Sequence, residues 1–299
     1  MRRESPGRVR LLRGDARRLV GIHDASIELI VTSPPYPMIP QWDALFRALG
    51  AKEYRAMLRV LEEAWTECHR VLVDGGLLAV VIGDALRRSE DGFRLWPNHA
   101  ETLVAAERIG FRPLPYLLWK KPTNRPNAFL GSGFLPPNAY VTLDCEYVLL
   151  FRKGDPRRFP SHDPRRAESR FTRPERDRWF SQIWTDIRGT RQAAPGRRTG
   201  AFPAELARRL VRMFSVTGDT VLDPFAGTGT TLWAAAACGR EAIGVEWDEA
   251  TFAALVAEGA RRGLVAPPRG RASRGAGAGT QRPAGERGAP GARSPLRRF

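Results

Sequence analysis

Four consecutive residues, Ser33-Pro34-Pro35-Tyr36, have side chains and carbonyls suited to binding an amino group. The two prolines fix φ and lack N–H groups, so they hold a rigid extended turn whose carbonyls point outward. The Ser33 hydroxyl and the Pro34 carbonyl can then accept hydrogen bonds from an NH2 group, and Tyr36 offers a ring face on which a planar base can stack. Taken alone, the pattern is equally typical of an ordinary loop.

A second segment, VLDPFAGTGTT at 221–231, has the pattern of a nucleotide-binding turn. An apolar strand leads into small residues, which let the backbone approach a ligand, and then into a helix whose first N–H groups are free. The Gly-Lys-Ser/Thr of a phosphate-binding loop is missing, and Leu232 replaces the third glycine of a dinucleotide turn. Glu246 follows Gly227 by 19 residues, where a carboxylate accepts ribose hydroxyls. The spacing predicts a nucleoside cofactor without a pyrophosphate, and S-adenosyl-L-methionine fits.

Both segments follow short apolar strands, and the surrounding chain alternates between strand and helix patterns. Strands are predicted at 9–12, 27–31, 77–82, 114–119, 146–151, 220–222 and 242–245. Helices are predicted at 43–72 with a break near Gly50, and at 98–109, 203–214, 230–238 and 248–262, whereas Asp74-Gly75-Gly76 indicates a turn. Continuous apolar strands alternating with helices indicate an α/β fold with a mostly parallel sheet covered on both faces. Ligands bind such sheets at the carboxyl ends of the strands, which here are Val31, Leu222 and Val245.

The composition narrows the class of protein. The chain has 299 residues, 42% of them hydrophobic, which suits one large α/β domain or two small ones. No stretch reaches the roughly 20 apolar residues of a membrane span, and the N-terminus lacks a secretory signal, so we expect a cytoplasmic protein without a membrane partner. Three cysteines and four histidines show no metal-binding spacing, so we predict no metal site.

The net charge of +16 is concentrated in two segments. Residues 151–200 carry +8 and residues 266–299 carry +7, which is typical of a nucleic-acid-binding surface. The segment 266–299 is rich in Gly, Pro, Ala and Arg and is predicted to be a disordered tail. Six arginines lie between Arg157 and Arg173, interleaved with aromatic residues, and suit contacts to phosphates and guanine edges. Three further aromatics are expected in the core: Trp179, Phe180 and Trp184.

Taken together, these motifs resemble the amino-group DNA methyltransferases of the permuted β class, in which the catalytic motif precedes the cofactor motif. Further matching segments are Leu12-Arg13-Gly14-Asp15, Asp74-Gly75-Gly76, Gly83-Asp84, Trp119-Lys120-Lys121-Pro122, the EYVLLF stretch at 146–151 and Phe202-Pro203. The resemblance covers about residues 9–262. It implies a Rossmann-like, doubly wound sheet of the S-adenosylmethionine-dependent methyltransferase type with an inserted target-recognition region.

The resemblance also implies a division of the chain and a reaction. Residues 1–150 form the catalytic half, 151–200 the basic target-recognition insert, 201–265 the cofactor-binding half and 266–299 the tail. The methyl group of S-adenosyl-L-methionine passes to an exocyclic amine of a base swung out of duplex DNA, because that amine is otherwise held in a base pair. Duplex DNA is thus the expected partner, together with a cognate restriction endonuclease acting on the same site. The oligomeric state stays open.

Site residues follow from the same resemblance. The catalytic residues are Ser33, Pro34, Pro35 and Tyr36, with Ser33 and the Pro34 carbonyl binding the amine and Tyr36 stacking on the base. Cofactor contacts fall to Asp15, Thr32, Phe202, Pro203, Asp223, Pro224, Phe225, Ala226, Gly227, Thr228, Gly229, Thr230, Thr231, Glu246 and Trp247. Among these, Asp223 and the Gly227–Thr231 turn hold the methionine part, Glu246 holds the ribose, and Asp15 and Trp247 border the adenine.

The residue types also bear on which base is methylated. Methylation at cytosine C5 requires a nucleophilic cysteine, usually after a proline, and none of Cys68, Cys145 and Cys238 follows one. In the family the Ser-Pro-Pro-Tyr form is commoner among cytosine-N4 enzymes, whereas adenine-N6 enzymes usually carry Asp or Asn at the position of Ser33. Cytosine N4 is therefore predicted, with adenine N6 as the alternative. An RNA or protein amine methyltransferase, and a catalytically silent DNA-binding module, stay open as further interpretations.

Overall fold

A computed structural model describes residues 7–89, 92–121, 141–189 and 201–265 of the chain. Three sequence-based predictions lie outside these residues. They concern the tail at 266–299, the end of the basic insert at 190–200, and Pro122 of the WKKP motif.

Strands and helices alternate along the described residues. The strands are β1 (Val9–Arg13), β2 (Ile27–Thr32), β3 (Leu72–Ile82), β4 (Ala85–Ser89), β5 (Gly92–Trp96), β6 (Phe111–Lys120), β7 (Cys145–Lys153), β8 (Ile183–Trp184), β9 (Thr220–Asp223) and β10 (Glu241–Glu246). The helices are α1 (Asp43–Ala48), α2 (Tyr54–Val71), α3 (Asn98–Ile109), α4 (Pro164–Glu168), α5 (Arg173–Trp179), α6 (Ala204–Phe214), α7 (Thr230–Ala237) and α8 (Glu249–Arg261).

Eight of the described strands form one sheet in the order β1-β10-β9-β2-β3-β7-β6-β8. The first five strands in this order, β1, β10, β9, β2 and β3, are parallel to one another. Strand β7 is antiparallel to both β3 and β6, and β8 pairs parallel to β6. The predicted α/β class and mostly parallel sheet are confirmed.

Helices cover both faces of the sheet, because the central strands are apolar on both sides. In β2, Leu29 and Val31 pack in the hydrophobic cluster that includes Leu206 of α6. Ile30, between them, packs with Trp65 of α2 in the cluster on the other face. This alternation follows from the two-residue period of a strand, and the burial of both faces explains the continuous apolar sequence.

The strand order brings the carboxyl ends of β10, β9, β2 and β3 to one edge of the sheet, which we call the carboxyl edge. The segments that follow Thr32, Asp223 and Glu246 therefore lie side by side. No helix in the described ranges is long and apolar enough to cross a bilayer.

Two parts of the chain differ from the sequence-based expectation. Strands β4 and β5 pair antiparallel, and they were not predicted because Arg87, Arg88 and Ser89 make β4 resemble a polar loop. Strand β3 begins at Leu72 and includes the predicted turn at 74–76. Gly75 has φ +79°, and a Cβ there would lie 2.6 Å from the Asp155 carbonyl, so close approach of a second chain segment explains this glycine.

The basic insert contains three elements that were not predicted from the sequence, namely α4, α5 and β8. Trp179 and Trp184 are buried against α6, as predicted, with the guanidinium of Arg208 4.9 Å from the Trp179 ring and that of Arg209 5.2 Å from the Trp184 ring. The prediction for Phe180 is wrong, because this residue ends α5 and is 55% exposed.

Replacing Trp184 should therefore destabilise the protein far more than replacing Phe180. Trp184 is fully buried, and its indole N–H donates to the Trp179 carbonyl at 3.0 Å. We expect Trp184→Ala to lower the free energy of unfolding by about 3–5 kcal/mol, and Phe180→Ala by less than about 0.5 kcal/mol. Urea unfolding measures both, and equal losses would contradict this packing of the insert.

Candidate active site

The two motifs meet because β2 and β9 are neighbours in the sheet. Leu29 pairs with Val221 and Ile30 with Leu222, so the strand ends are in register at the carboxyl edge. There the Thr32 hydroxyl donates a hydrogen bond to Asp223 Oδ1 at 2.6 Å, across 191 residues of sequence. Ser33 therefore begins directly beside the turn that follows Asp223.

The Asp223 carboxylate is the centre of this junction. Only 3% of the residue is exposed, and the Phe225 N–H also donates to Oδ1, at 3.1 Å. Burial raises the pKa of Asp223 to about 6, although hydrogen bonds from Thr32 and Thr231 act in the opposite direction, and the negative charge of Glu246 raises the pKa further. Asp223 thus holds the start of the turn but is costly to ionise.

The turn after Asp223 depends on two glycines. Gly227 and Gly229 have φ of +50° and +80°, a region that favours glycine. A Cβ on Gly229 would lie 2.6 Å from atoms of both Trp233 and Leu255, so no side chain fits there. The Trp233 indole N–H donates to the Thr228 carbonyl at 2.9 Å and fixes the other side of the turn. A Cβ on Gly227, in contrast, would have only the Phe225 carbonyl within 4 Å, at 3.8 Å, so the turn is open on that side.

Glu246, at the end of β10, connects the turn to the next strand. Its carboxylate accepts the Gly227 N–H at 2.9 Å and the Asp248 N–H at 2.8 Å, one on each oxygen. Burial raises the pKa of Glu246, and these backbone hydrogen bonds lower it. Because each carboxylate oxygen has two acceptor directions, both keep capacity for a ligand hydroxyl. Trp247 follows with 44% of its surface exposed.

Asp15 lies near the same edge, but its carboxylate is already engaged. Gly14, just before it, donates its N–H to the Glu246 carbonyl at 3.0 Å. The Arg17 guanidinium binds both Asp15 oxygens, with nitrogen–oxygen distances of 2.7–3.1 Å. Burial raises the pKa of Asp15, but the hydrogen bonds and charge of Arg17 outweigh it and lower the pKa overall. Any ligand contact by Asp15 must share the carboxylate with Arg17.

Phe202 and Pro203 precede α6, and both are buried. Phe202 lines the same groove as Gly227, Thr228 and Thr230. The groove has a volume of about 750 Å³ and continues along α7 and α8. Phe202 therefore lies across from the glycine turn, where it can close one side of a bound ligand.

The Ser33–Tyr36 segment is held by a chain of polar contacts. Ser33 Oγ–H donates to Tyr36 Oη at 3.2 Å, and Tyr36 Oη–H donates to Glu146 Oε2 at 3.2 Å. The second Glu146 oxygen is ion-paired with Lys121. Burial, and then the charge of Glu146, raise the pKa of Tyr36, so the phenol stays protonated. A Cβ on Gly83 would lie 3.1 Å from the Tyr36 ring, so this glycine makes room for it.

Two residues of the site had no assigned role in the sequence. Asn98, at the start of α3, is fully buried and donates from Nδ2 to the Pro37 and Gly83 carbonyls, each at 3.0 Å. It thereby clamps the loop after Tyr36 to the end of β3. Glu146 lies in the EYVLLF stretch that matches the family, but a glutamate in a strand sequence does not reveal that its partners are Tyr36 and Lys121. Both contacts depend on sheet order, which local sequence does not reveal.

The arginine-rich part of the insert lies away from the carboxyl edge. Arg157 binds Asp219 through two hydrogen bonds of 2.7 and 2.9 Å, and Asp219 lies just before β9 begins, at the opposite edge. Arg165 binds Asp163, and the Arg170 carbonyl accepts a hydrogen bond from Arg212 in the last turn of α6. The guanidinium groups of Arg157 and Arg165, two of the arginines that the sequence suggested for DNA contacts, are therefore engaged within the protein.

Comparisons with known proteins bear on the family of this chain. A family model described as DNA methylase, N6_N4_Mtase, matches residues 27–257. The type II methyltransferase M.MjaI of Methanocaldococcus jannaschii is 53% identical over 265 residues, which are 80% of this chain and 87% of that protein. M.MthZI of Methanothermobacter thermautotrophicus is 46% identical over 246 residues, covering 76% and 69%. The crystal structure of TTHA0409 from Thermus thermophilus, complexed with S-adenosyl-L-methionine, has a TM-score of 0.68 and 39% identity, covering 84% of this chain and 95% of that one.

The raised pKa of Asp223 predicts a pH-dependent stability difference for Asp223→Asn. The folded pKa of about 6 exceeds the ordinary value of 3.8, so the folded state binds the proton more tightly and loses stability as the pH rises between these values. We expect Asp223→Asn to raise the free energy of unfolding by about 3 kcal/mol at pH 7.5 and by about 1 kcal/mol at pH 4.5. Urea unfolding at both pH values measures the difference.

Asp219→Asn is the matched control, since Asp219 is equally buried but paired with Arg157. Removing that charge leaves the guanidinium without its carboxylate, so the free energy of unfolding should fall at pH 7.5. A gain for Asp223→Asn that did not change with pH would contradict the assigned cause.

Proposed function

Because this chain belongs to the DNA methylase family of N6 and N4 amino-methyltransferases, we propose that it methylates the exocyclic N4 of cytosine in duplex DNA with S-adenosyl-L-methionine as the methyl donor. One observation carries the proposal. The Ser33-Pro34 acceptors lie directly beside the Asp223 turn, joined to it by the Thr32–Asp223 hydrogen bond. A group that accepts an amine and a turn that accommodates a nucleoside therefore share one edge of the sheet.

The residues fit the cofactor. The glycine turn leaves no Cβ at 227 and 229, and Glu246 keeps acceptor capacity toward ribose hydroxyls. We assign the methionine part to the segment Asp223–Thr231, the ribose to Glu246, and the closing wall to Phe202 and Pro203. Trp247, which is partly exposed next to Glu246, borders the adenine, and Asp15 contributes only beside Arg17. When bound, S-adenosyl-L-methionine supplies an electrophilic methyl group on a sulfonium.

The chain's own residues orient the target. The base must leave the duplex to reach Ser33, and Tyr36 offers a ring face for it. Ser33 Oγ and the Pro34 carbonyl accept the two amine hydrogens, which directs the nitrogen lone pair along the transfer axis. Transfer would leave the donor sulfur as a neutral thioether, and the methylated nitrogen would release one of its protons to water. No residue at this edge forms a covalent bond to the base in this scheme. Catalysis is then positioning and hydrogen bonding.

Ser33 supports cytosine over adenine. A neutral hydroxyl stands at the position where adenine-N6 enzymes of the family usually carry Asp or Asn, and this hydroxyl lies beside Tyr36. Adenine N6 would use the same fold and the same acceptors. The product nucleoside therefore decides between the two bases.

The insert is proposed to reach DNA through its later part. Strand β8 pairs parallel to the last residues of β6, so Ile183 and Trp184 lie next to Leu118 and Trp119, near the carboxyl edge. Residues 180–189 are thus closer to the proposed base site than the arginines at 157–170. We further propose that the modification protects a site cut by a cognate endonuclease, as the type II names of the relatives suggest.

The experiment that tests the function identifies the product. The protein is incubated with isotope-labelled S-adenosyl-L-methionine and mixed-sequence duplex DNA, the DNA is digested, and labelled nucleosides are identified by mass spectrometry. We expect N4-methylcytosine. N6-methyladenine would overturn the choice of base. Parallel reactions contain RNA or protein in place of DNA, and label found there but not in DNA would overturn duplex DNA as the substrate.

Glu246→Ala tests the cofactor assignment. We expect the dissociation constant for S-adenosyl-L-methionine to rise at least about tenfold, because hydrogen bonds from two hydroxyls to a carboxylate are lost. Glu241→Ala is the matched control, since Glu241 begins the same strand at the opposite edge. Isothermal titration calorimetry measures both, and equal affinities for the two variants would contradict the ribose role.

A further inference from the structure

The polar contacts around Ser33 form a chain with a fixed direction. A carboxylate only accepts and an ammonium only donates, so the Glu146–Lys121 pair fixes one end. Tyr36 must then donate to Glu146, at 3.2 Å, and its oxygen is left to accept. The acceptor position is filled by Ser33 Oγ–H, also at 3.2 Å. Each hydroxyl hydrogen therefore points away from the base site and toward Glu146.

This direction matters for the chemistry at Ser33. A serine hydroxyl has one hydrogen and two lone pairs. With the hydrogen committed to Tyr36, Ser33 presents only lone pairs to an incoming NH2 group. If the hydrogen were free, it could instead bond to the amine nitrogen and occupy the lone pair that must attack the methyl group.

We propose that Glu146 is a positioning residue for methyl transfer, which acts through the Tyr36 hydroxyl to keep Ser33 a pure acceptor toward the target amine. The inference rests on the proposed amino-methyl transfer but not on the choice of base. Glu146 itself contacts neither substrate nor cofactor in this scheme. Its contribution lies in the orientation of two hydroxyl groups.

The surroundings hold the chain of contacts in place. The Glu146 side chain is 15% exposed and stands at the start of β7, beside the end of β3. Lys121 is fixed at its backbone N–H, which donates to the Asp144 carbonyl at 2.7 Å. Its side-chain ammonium lies 5.2 Å from the Trp119 ring. Glu146 on β7 and Lys121 after β6 thus belong to adjacent strands of the sheet, which suits a fixed orientation better than a mobile one.

Glu146→Gln is the variant that separates orientation from packing. Lys121 only donates, so it selects the amide oxygen of Gln, and the amide NH2 turns toward Tyr36. Tyr36 must then donate to Ser33, and the Ser33 hydrogen is displaced toward the base. We expect kcat to fall about ten- to hundredfold, with KM for DNA and for S-adenosyl-L-methionine changed less than about twofold. Glu62→Gln alters a glutamate of α2 that is paired with Arg108 of α3, and it should leave kcat and both KM values unchanged.

A double-mutant cycle with Tyr36→Phe tests whether Glu146 acts through the hydroxyl. Tyr36→Phe keeps the ring but breaks the chain of contacts, so it should lower kcat to a similar extent. Adding Glu146→Gln to Tyr36→Phe should then lower kcat by less than about twofold further. Two losses that multiplied would overturn the proposal, because Glu146 would then act by another route.

The remaining outcomes are also decisive. Wild-type kcat in Glu146→Gln would overturn the inference while leaving the proposed function intact. Failure of the wild-type protein to methylate any DNA base would overturn the proposed function, and this role with it. If Glu146→Gln did not fold, Tyr36→Phe, which leaves the Glu146–Lys121 pair intact, would still decide. Lowered kcat at unchanged KM would support the proposal, and unchanged kcat would overturn it.

Discussion

The proposed active site depends on one adjacency, the parallel pairing of β2 with β9 in the middle of the sheet. These strands lie far apart in the chain, at Ile27–Thr32 and Thr220–Asp223. Their ends are joined by the hydrogen bond from Thr32 to Asp223, which is buried and therefore little weakened by water. In the proposed function, the amine-binding segment and the cofactor turn can act on the same methyl group only because this pairing holds them together.

The buried carboxylates of the glycine turn differ electrostatically from those that bind arginines of the basic insert. Asp219 and Asp163 are buried and ion-paired with arginine, as is usual for structural carboxylates. Asp223 and Glu246, in contrast, accept only from N–H and hydroxyl groups within the described part of the chain, and burial raises the pKa of both. Carboxylates kept without a cation reduce stability, which is expected where a positively charged or hydroxyl-bearing ligand completes the site. Asp15 resembles Asp219 and Asp163 in this respect, since Arg17 binds it.

The sequence was sufficient for the features that local patterns encode. The apolar runs predicted β2, β9 and β10, and the glycine turn and Glu246 emerged from spacing alone, because these relations lie within one strand–turn–helix–strand unit. The resemblance to amino-methyltransferases then supplied the order of the two halves.

Local patterns could not reveal contacts that depend on the order of strands in the whole sheet. The Glu146 contact with Tyr36 spans 110 residues, and the position of Arg157 is fixed by Asp219, 62 residues away. Phe180 was misplaced for a related reason, since adjacent aromatics at the end of a short helix point in different directions.

The central claim is that the two motifs bind one cofactor and one base at the carboxyl edge. A crystal structure of the protein with S-adenosyl-L-methionine tests it most directly. We expect the ribose hydroxyls within hydrogen-bond distance of Glu246, the methionine part along the glycine turn, and the methyl group directed at the space in front of Ser33 and Pro34. A cofactor lying farther along the α7–α8 groove, with its methyl group turned away from Ser33, would contradict the account.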